Sequence, residues 1–164
     1  MNTKYQDKEY LSIIKPIIEI PEFQAMKNVA HHGMNRYEHS LRVSYYSYLV
    51  AKRLHLNYES VAKAGLLHDF FLEDSRDKKM KTLVKHPDYA LENASKYFTL
   101  TDMEQDIIRN HMFPITPRPP KYLESWLVDL TDNLASFYER GYSMSKELST
   151  AFTFFFVILI NGLR

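Results

Sequence analysis

The chain has 164 residues, 45% of them hydrophobic and 25% charged, the proportions of an ordinary globular domain. Its net charge of +1 provides no field that would recruit a nucleic acid polymer or an acidic membrane. It has no cysteine, so disulfides and thiolate metal sites are excluded, and any metal must be held by His, Asp or Glu.

Helical periodicity dominates and strand-like alternation is scarce. The chain therefore reads as all-α, a compact bundle of six or seven helices. Leu11, Ile14, Ile17 and Ile18 mark a first amphipathic stretch, expected to be interrupted near Pro16 and Pro21. His31-His32-Gly33 reads as a loop near the mouth of a site, with Gly33 as breaker. A second helix is expected over about 36–54, where His39, Val43, Tyr46 and Val50 share a face. His55, near its end, needs only a surface role that compensates the helix dipole. Asn57 caps a helix over about 58–69, whose shared face of Val61, Ala64, Gly65 and His68 turns His68 inward.

Residues 73–81 are charged and aperiodic and read as a surface loop. Pro87 suits the first position of a helix ending near Phe98, which leaves His86 at its start. Thr101-Asp-Met-Glu104 is a capping box that opens a helix through Ile107 and Ile108 to His111. Pro114, Pro117, Pro119 and Pro120 enforce an extended connection. From about Lys121 a helix carries Leu123, Leu127, Leu130, Leu134 and Phe137. A last apolar helix, about 143–160, contains Phe154-Phe-Phe-Val-Ile-Leu-Ile160, too short for a bilayer span of about 20 residues. Its apolar residues lie on nearly every face, as in a central core helix or one side of a homodimer interface. The polar N-terminal stretch lacks the apolar centre of a signal peptide, so a cytoplasmic protein is expected.

His39, the adjacent pair His68-Asp69, His86, His111 and Asp132 each fall in a helix or at a helix end. Imidazole and carboxylate suit a divalent transition metal, and ligands drawn from several helices make a site held by the fold. Each has an ordinary reading by itself. His39 and His68 could be hydrogen-bonded core histidines. His86 could be a surface residue at a helix start, and His111 a residue favoured by a helix C-terminus. His68 and Asp69 diverge by roughly 100° around a helix, yet can meet one ion off its edge. The two oxygens of Asp69 could bridge two ions. Asp129 and Asp132, three apart, face nearly the same way, and spacing does not choose between them.

Taken in order, these residues resemble the HD superfamily of metal-dependent phosphohydrolases. The segments are Glu38-His39-Ser40-Leu41-Arg42-Val43, Leu66-Leu67-His68-Asp69, Lys85-His86-Pro87-Asp88, Ile107-Ile108-Arg109-Asn110-His111 and Leu130-Thr131-Asp132-Asn133-Leu134. The resemblance spans about Arg36 to Phe137, and the whole chain, 1–164, reads as one such domain. Two histidines between His-Asp and the late Asp are similar to the branch that holds two metals. The resemblance implies His39, His68, Asp69 and Asp132 on one ion, and Asp69, His86 and His111 on a second. Iron, manganese, cobalt, nickel and zinc all suit such ligands. It selects Asp132 over Asp129, which becomes a supporting or solvated carboxylate. It implies a metal-activated water attacking a nucleotide or other small phosphate ester, with Asp69 and Arg36 catalytic. Arg36, Arg118 and Lys121 would contact the substrate phosphate.

No Gly-rich phosphate loop, Gly-x-Ser-x-Gly elbow or His-Glu-x-x-His helix occurs. Asn133 stands where Lys is common in the resembling family. Phe70-Phe71-Leu72 lacks the basic residue that several two-metal relatives carry three positions after the Asp. The resemblance implies nucleoside monophosphates or dinucleoside polyphosphates as substrates, and the missing Gly-Tyr-Pro signature of the cyclic-dinucleotide branch argues against a cyclic-dinucleotide enzyme. Two other readings stand beside the hydrolase. One is a metal-braced regulatory domain that binds a nucleotide or partner protein, and the other is a di-iron oxygenase.

Overall fold

Side-chain caps set where several of the helices begin. The computed structural model describes residues 5–31, 34–72 and 80–142, with backbone alone at 30–31, 80–83 and 140–142. Among them are seven α-helices and almost no strand, in line with the all-α expectation. Helix α1 (Lys8–Ile18) starts at Asp7, whose carboxylate accepts the N–H groups of Glu9 and Tyr10. Pro16 stands inside α1 and does not interrupt it. Burial of Ile14 and Ile17 offsets the one backbone donor it lacks, and the chain turns only before α2 (Pro21–Ala25).

A 3-10 turn (Met26–Asn28) leads to a two-residue antiparallel ladder, β1 (Ala30–His31) with β2 (Met34–Asn35). His31 thus lies in a short strand and not in the expected loop, while His32 and Gly33 lie outside the described residues. Asn35 caps α3 (Arg36–Arg53) by accepting the Glu38 N–H at 2.8 Å. His55 follows α3 with a left-handed φ of 56°, and Leu56 N–H returns to the Ala51 carbonyl, which closes the helix end. Asn57 caps α4 (Tyr58–Leu67) as the sequence predicts.

Helix α5 (Met80–Tyr97) corrects the reading of Pro87. The proline lies within the helix, which starts earlier and takes in Met80 and Lys81. His86 is therefore an interior, buried position and not a helix start. Residues 73–79 of the expected loop lie outside the described residues. Helix α6 (Asp102–Asn110) opens on the reciprocal capping box of Thr101 and Glu104, with His111 as its C-cap. Helix α7 (Leu123–Tyr142) follows the Pro-rich connection, and the expected helix over about 143–160 lies outside the described residues. No helix among the described residues is long and apolar enough to cross a membrane.

Helix α3 packs most extensively on α4 and then on α7, while α6 contacts α4, α5 and α7. One buried face was expected on α3, but the helix is enclosed nearly all round. Tyr46 is only half-buried, whereas Ser40, Ser44 and Ser47 are fully enclosed. These small residues let α4 approach closely: a Cβ on Gly65 would stand 3.3 Å from the Ser44 Cα. Ser44 Oγ donates to the Ala62 carbonyl at 2.6 Å and accepts from the Tyr10 hydroxyl at 3.0 Å, which ties α1, α3 and α4 together. Phe23, Val61, Leu66, Leu67, Ile107 and Ile108 fill the core around that junction.

Asp106 fastens the Pro-rich connection. Its carboxylate accepts from Lys121 N–H at 2.9 Å, Ser125 Oγ at 2.7 Å and Asn110 Nδ2 at 2.6 Å. This anchors α7 to α6, and so sets Asp132 relative to His111. Gly65→Val is expected to lower the unfolding free energy by about 2 kcal/mol, because its branches would press on the Ser44 backbone. Urea unfolding measures this, and an unchanged midpoint would show that the close approach of α3 and α4 is not limiting.

Candidate metal centre

Five helices deliver six side chains to one buried spot. His39 comes from α3, His68 and Asp69 from the end of α4, His86 from α5, His111 from the end of α6 and Asp132 from α7, and all are buried. Three overlapping sets, His39–His68–Asp69, His68–His111–Asp132 and Asp69–His86–His111, each have ligand atoms within 4.8 Å of one another. Asp69 sits between two groups. Its Oδ1 is 3.4 Å from His86 Nε2 and 3.7 Å from His111 Nε2, and its Oδ2 is 4.0 Å from His68 Nε2. Asp132 Oδ1 lies 2.9 Å from His39 Nε2 and 3.6 Å from His68 Nε2.

The rings are oriented by what lies on their other side. His68 Nδ1 is 2.7 Å from the Gly65 carbonyl, and His111 Nδ1 is 2.8 Å from the Ile108 carbonyl. A carbonyl only accepts, so both Nδ1 atoms carry hydrogen, and in the neutral ring Nε2 presents a lone pair to the cluster. Both carbonyls are three residues back in the histidine's own helix, where the last turn leaves acceptors unused. His39 Nδ1 meets the Glu139 carboxylate at 2.8 Å, and Arg42 Nη1 holds that carboxylate at 2.9 Å.

The donor set fits divalent transition ions. His68 Nε2 is buried, makes no hydrogen bond, and faces Asp69 and Asp132, which is where a cation would be stabilised. His86 Nε2 and His111 Nε2 are 2.9 Å apart. Two nitrogens about 2.1 Å from one ion, set at right angles, stand about 3 Å apart. Outward N–H anchors of the kind seen on His39, His68 and His111 are characteristic of metal-ligating imidazoles.

Charge is uneven across the site. Burial disfavours a charged His39, but hydrogen bonds from the ring to Asp132 and Glu139 outweigh it and push its pKa up to about 10. Burial likewise opposes charging of His68, and Asp69 and Asp132 raise its pKa nonetheless. His111 is driven the other way, to about 3, first by burial and then by the positive potential of His68 and His86. Asp132 stays well below the usual carboxylate range: burial works against its charge, and the His39 and His68 contacts prevail.

Arg36 joins the cluster from the first position of α3. Its Nη1 donates to the Phe71 carbonyl at 2.6 Å, its Nε is 3.8 Å from Asp69 Oδ2, and its guanidinium lies 3.6 Å from the centre of the Phe71 ring. Phe71 in turn stacks on the His86 ring. The other two expected phosphate contacts lie elsewhere. Arg118 forms a forked pair with Asp88, at 3.0 and 3.2 Å, on the outer side of α5. Lys121 is exposed, and its backbone N–H serves Asp106.

One carboxylate of the site, Glu139, is not singled out by the sequence, and Asp129 takes the supporting place of its two expected roles. Glu139 lies two helical turns after Asp132, and that spacing on one helix face was the available signal. Asp129 is buried and not solvated, one turn before Asp132, and accepts the Phe113 backbone N–H. Burial, then the charge of Asp132, raises its pKa from 3.8 to about 7.

A sequence model described as HD domain matches residues 36–136. Among solved structures, the chain is similar to the HD domain of the L. monocytogenes phosphodiesterase PgpH. The form in complex with cyclic-di-AMP is 16% identical, with a TM-score of 0.58, covering 88% of this chain and 81% of that chain. A second structure of that HD domain is 15% identical, also with a TM-score of 0.58, covering 88% of this chain and 83% of that chain. At these identities the likeness shows a shared fold. No curated protein sequence matches the chain.

The raised pKa of Asp129 makes a prediction for chelator-stripped protein. The folded state binds the Asp129 proton more tightly than the unfolded chain, so this residue's contribution is complete below pH 3.8 and is lost as pH rises to about 7. Asp129→Asn removes that loss. The stability of the variant relative to the parent should grow between about pH 4 and pH 7 and level off above, followed by urea unfolding at each pH. A constant difference across that range would contradict it.

Proposed function

This chain belongs to the HD-domain family, and from that premise we propose that it is a metal-dependent phosphohydrolase acting on a nucleotide or another small phosphate ester. The observation that carries the reading is the orientation of the imidazoles. His39, His68 and His111 are anchored outward through Nδ1, and their Nε2 edges face Asp69 and Asp132. In this reading His39, His68, Asp69 and Asp132 hold one ion, and Asp69, His86 and His111 hold a second. Bound there, such ions supply Lewis acidity toward a phosphoryl group and lower the pKa of a coordinated water.

The chain's own residues prepare that chemistry. Glu139 keeps the His39 ring aimed at Asp132, and Arg42 holds Glu139 in turn. Arg36 is enclosed and committed to the Phe71 carbonyl beside Asp69, so its role in this reading is to position Asp69. Gly65 and Ile108 carbonyls prevent His68 and His111 from turning their lone pairs away. The cyclic-di-AMP complex of the PgpH HD domain supports a nucleotide as the first substrate class to screen.

A second reading, a metal-braced binding domain without turnover, is favoured by two observations. Arg36, a cation beside Asp69, is buried, and Arg118 is paired with Asp88.

Metal content measured by plasma mass spectrometry, with phosphate release from a nucleotide panel, tests both readings. Reconstituted wild type is expected to carry roughly two ions per chain and to release phosphate. Asp69→Ala should lose both ions, and His111→Ala about half. Glu139→Gln should weaken metal affinity by about 10–100-fold while leaving the fold intact. Wild type that takes up no metal from iron, manganese, cobalt, nickel or zinc would overturn the proposal. Metal-loaded protein that binds nucleotides and hydrolyses none would leave the second reading.

A further inference from the structure

Away from the metal centre, a cavity of about 460 Å³ opens between α1, α2, the 3-10 turn and α3. That volume falls within the roughly 300–1,000 Å³ usual for small-molecule sites. Its walls are apolar and aromatic: Tyr5, Ile14, Tyr37 and Leu41 are buried, and Leu11 and Ile18 half-buried. Glu19, Gln24, Lys27 and Glu38 supply its polar groups. None of the six candidate metal ligands lines it. A helix advances about 100° per residue, so Tyr37, Glu38 and Leu41 lie on one side of α3, and Arg36 and His39 on the other.

Glu38 is the group that this part of the fold leaves open. It is half-buried, and its backbone N–H is taken by Asn35. Its carboxylate, however, meets no ion-pair or hydrogen-bond partner among the described residues. It acts electrostatically on the Tyr5 and Tyr37 hydroxyls instead. A carboxylate drawn out of water beside apolar and aromatic side chains is costly until a cation reaches it. Lys27 shows what the aromatic wall accepts, because its ammonium lies 4.6 Å from the centre of the Tyr37 ring. That lysine is exposed and forms no ion pair with Glu38 or Glu19.

We propose that this cavity binds a small organic ammonium ion, its apolar part against Ile14, Ile18 and Leu41 and its charge beside Glu38 and the Tyr5 and Tyr37 rings. Charge complementarity selects that class. Two carboxylates against one lysine leave the lining net negative, so an anion meets repulsion from Glu38 and Glu19. A neutral molecule of the same shape fills the apolar walls and leaves Glu38 without a partner. An ammonium on an aliphatic or aromatic body satisfies both parts of the lining, and it takes over the ring that Lys27 now covers.

The probe is benzyltrimethylammonium, a cation with no lone pair to ligate a metal, compared with benzyl alcohol and phenylacetate. Each is titrated into the full chain and followed by methyl NMR. Benzyltrimethylammonium should shift the methyl groups of Leu11, Ile14 and Ile18. It should leave Ile108, whose carbonyl anchors His111, unmoved. It should bind about tenfold more tightly than benzyl alcohol. Glu38→Gln should weaken it about fivefold. Lys27→Met, which removes the competing ammonium, should strengthen it about two- to fivefold. If Glu38→Gln fails to fold, the Lys27→Met comparison decides. Equal affinity for the cation and the alcohol, or no shift at these methyl groups with any probe, would overturn the proposal. So would tighter binding of phenylacetate that Lys27→Met abolishes, which would make the cavity an anion site.

Discussion

Burying several carboxylates in one place is the constraint around which this fold is arranged. Asp69, Asp132, Glu139 and Asp129 lie together within the protein, and their mutual repulsion in a poorly solvated site is costly without positive partners. Arg42 and the His39 ring balance Glu139 and Asp132, and Arg36 lies beside Asp69. The Nε2 edge of His68, buried and without a hydrogen bond, looks toward Asp69 and Asp132.

The remaining architecture keeps five helices in register with this spot. Serines along α3 and Gly65 on α4 allow a close approach that brings His39 beside His68. Asp106 gathers the end of α6, the Pro-rich connection and the start of α7, so that His111 and Asp132 face each other across the site. The same demand inverts α7. A helix that must supply carboxylates inward has few apolar residues left for its inner face, and its hydrophobic stripe turns outward. Stability of α7 then depends on Val128 and Ala135 in the core and on polar contacts.

Several residues have surroundings in three dimensions that their local sequence does not announce. Pro87 was placed at a helix start because proline lacks a donor, but burial of Ala90, Leu91 and Ala94 extends α5 on its far side, and the helix carries the proline. Arg118 was assigned to a phosphate because it sits between His111 and Asp132 in the chain. In three dimensions it reaches Asp88, thirty residues away in sequence, and no local pattern announces that pair. Glu139 was overlooked because a glutamate late in a helix looks like a solvated residue until α3 packs against it.

What the sequence by itself determined is local: the helix starts at Asn57 and Thr101, the absence of thiolate ligands, and the ordered set of histidines and aspartates at helix ends. Even the anchoring of His68 and His111 is of this kind, because each ring takes the free carbonyl three residues back in its own helix. Tertiary structure alone decided which atoms face one another. His39 is oriented by a carboxylate one hundred residues away, and the two oxygens of Asp69 are shared between neighbours from α4, α5 and α6. Hydrogen bonds within one turn follow from chain geometry, whereas the convergence of five helices follows only from packing.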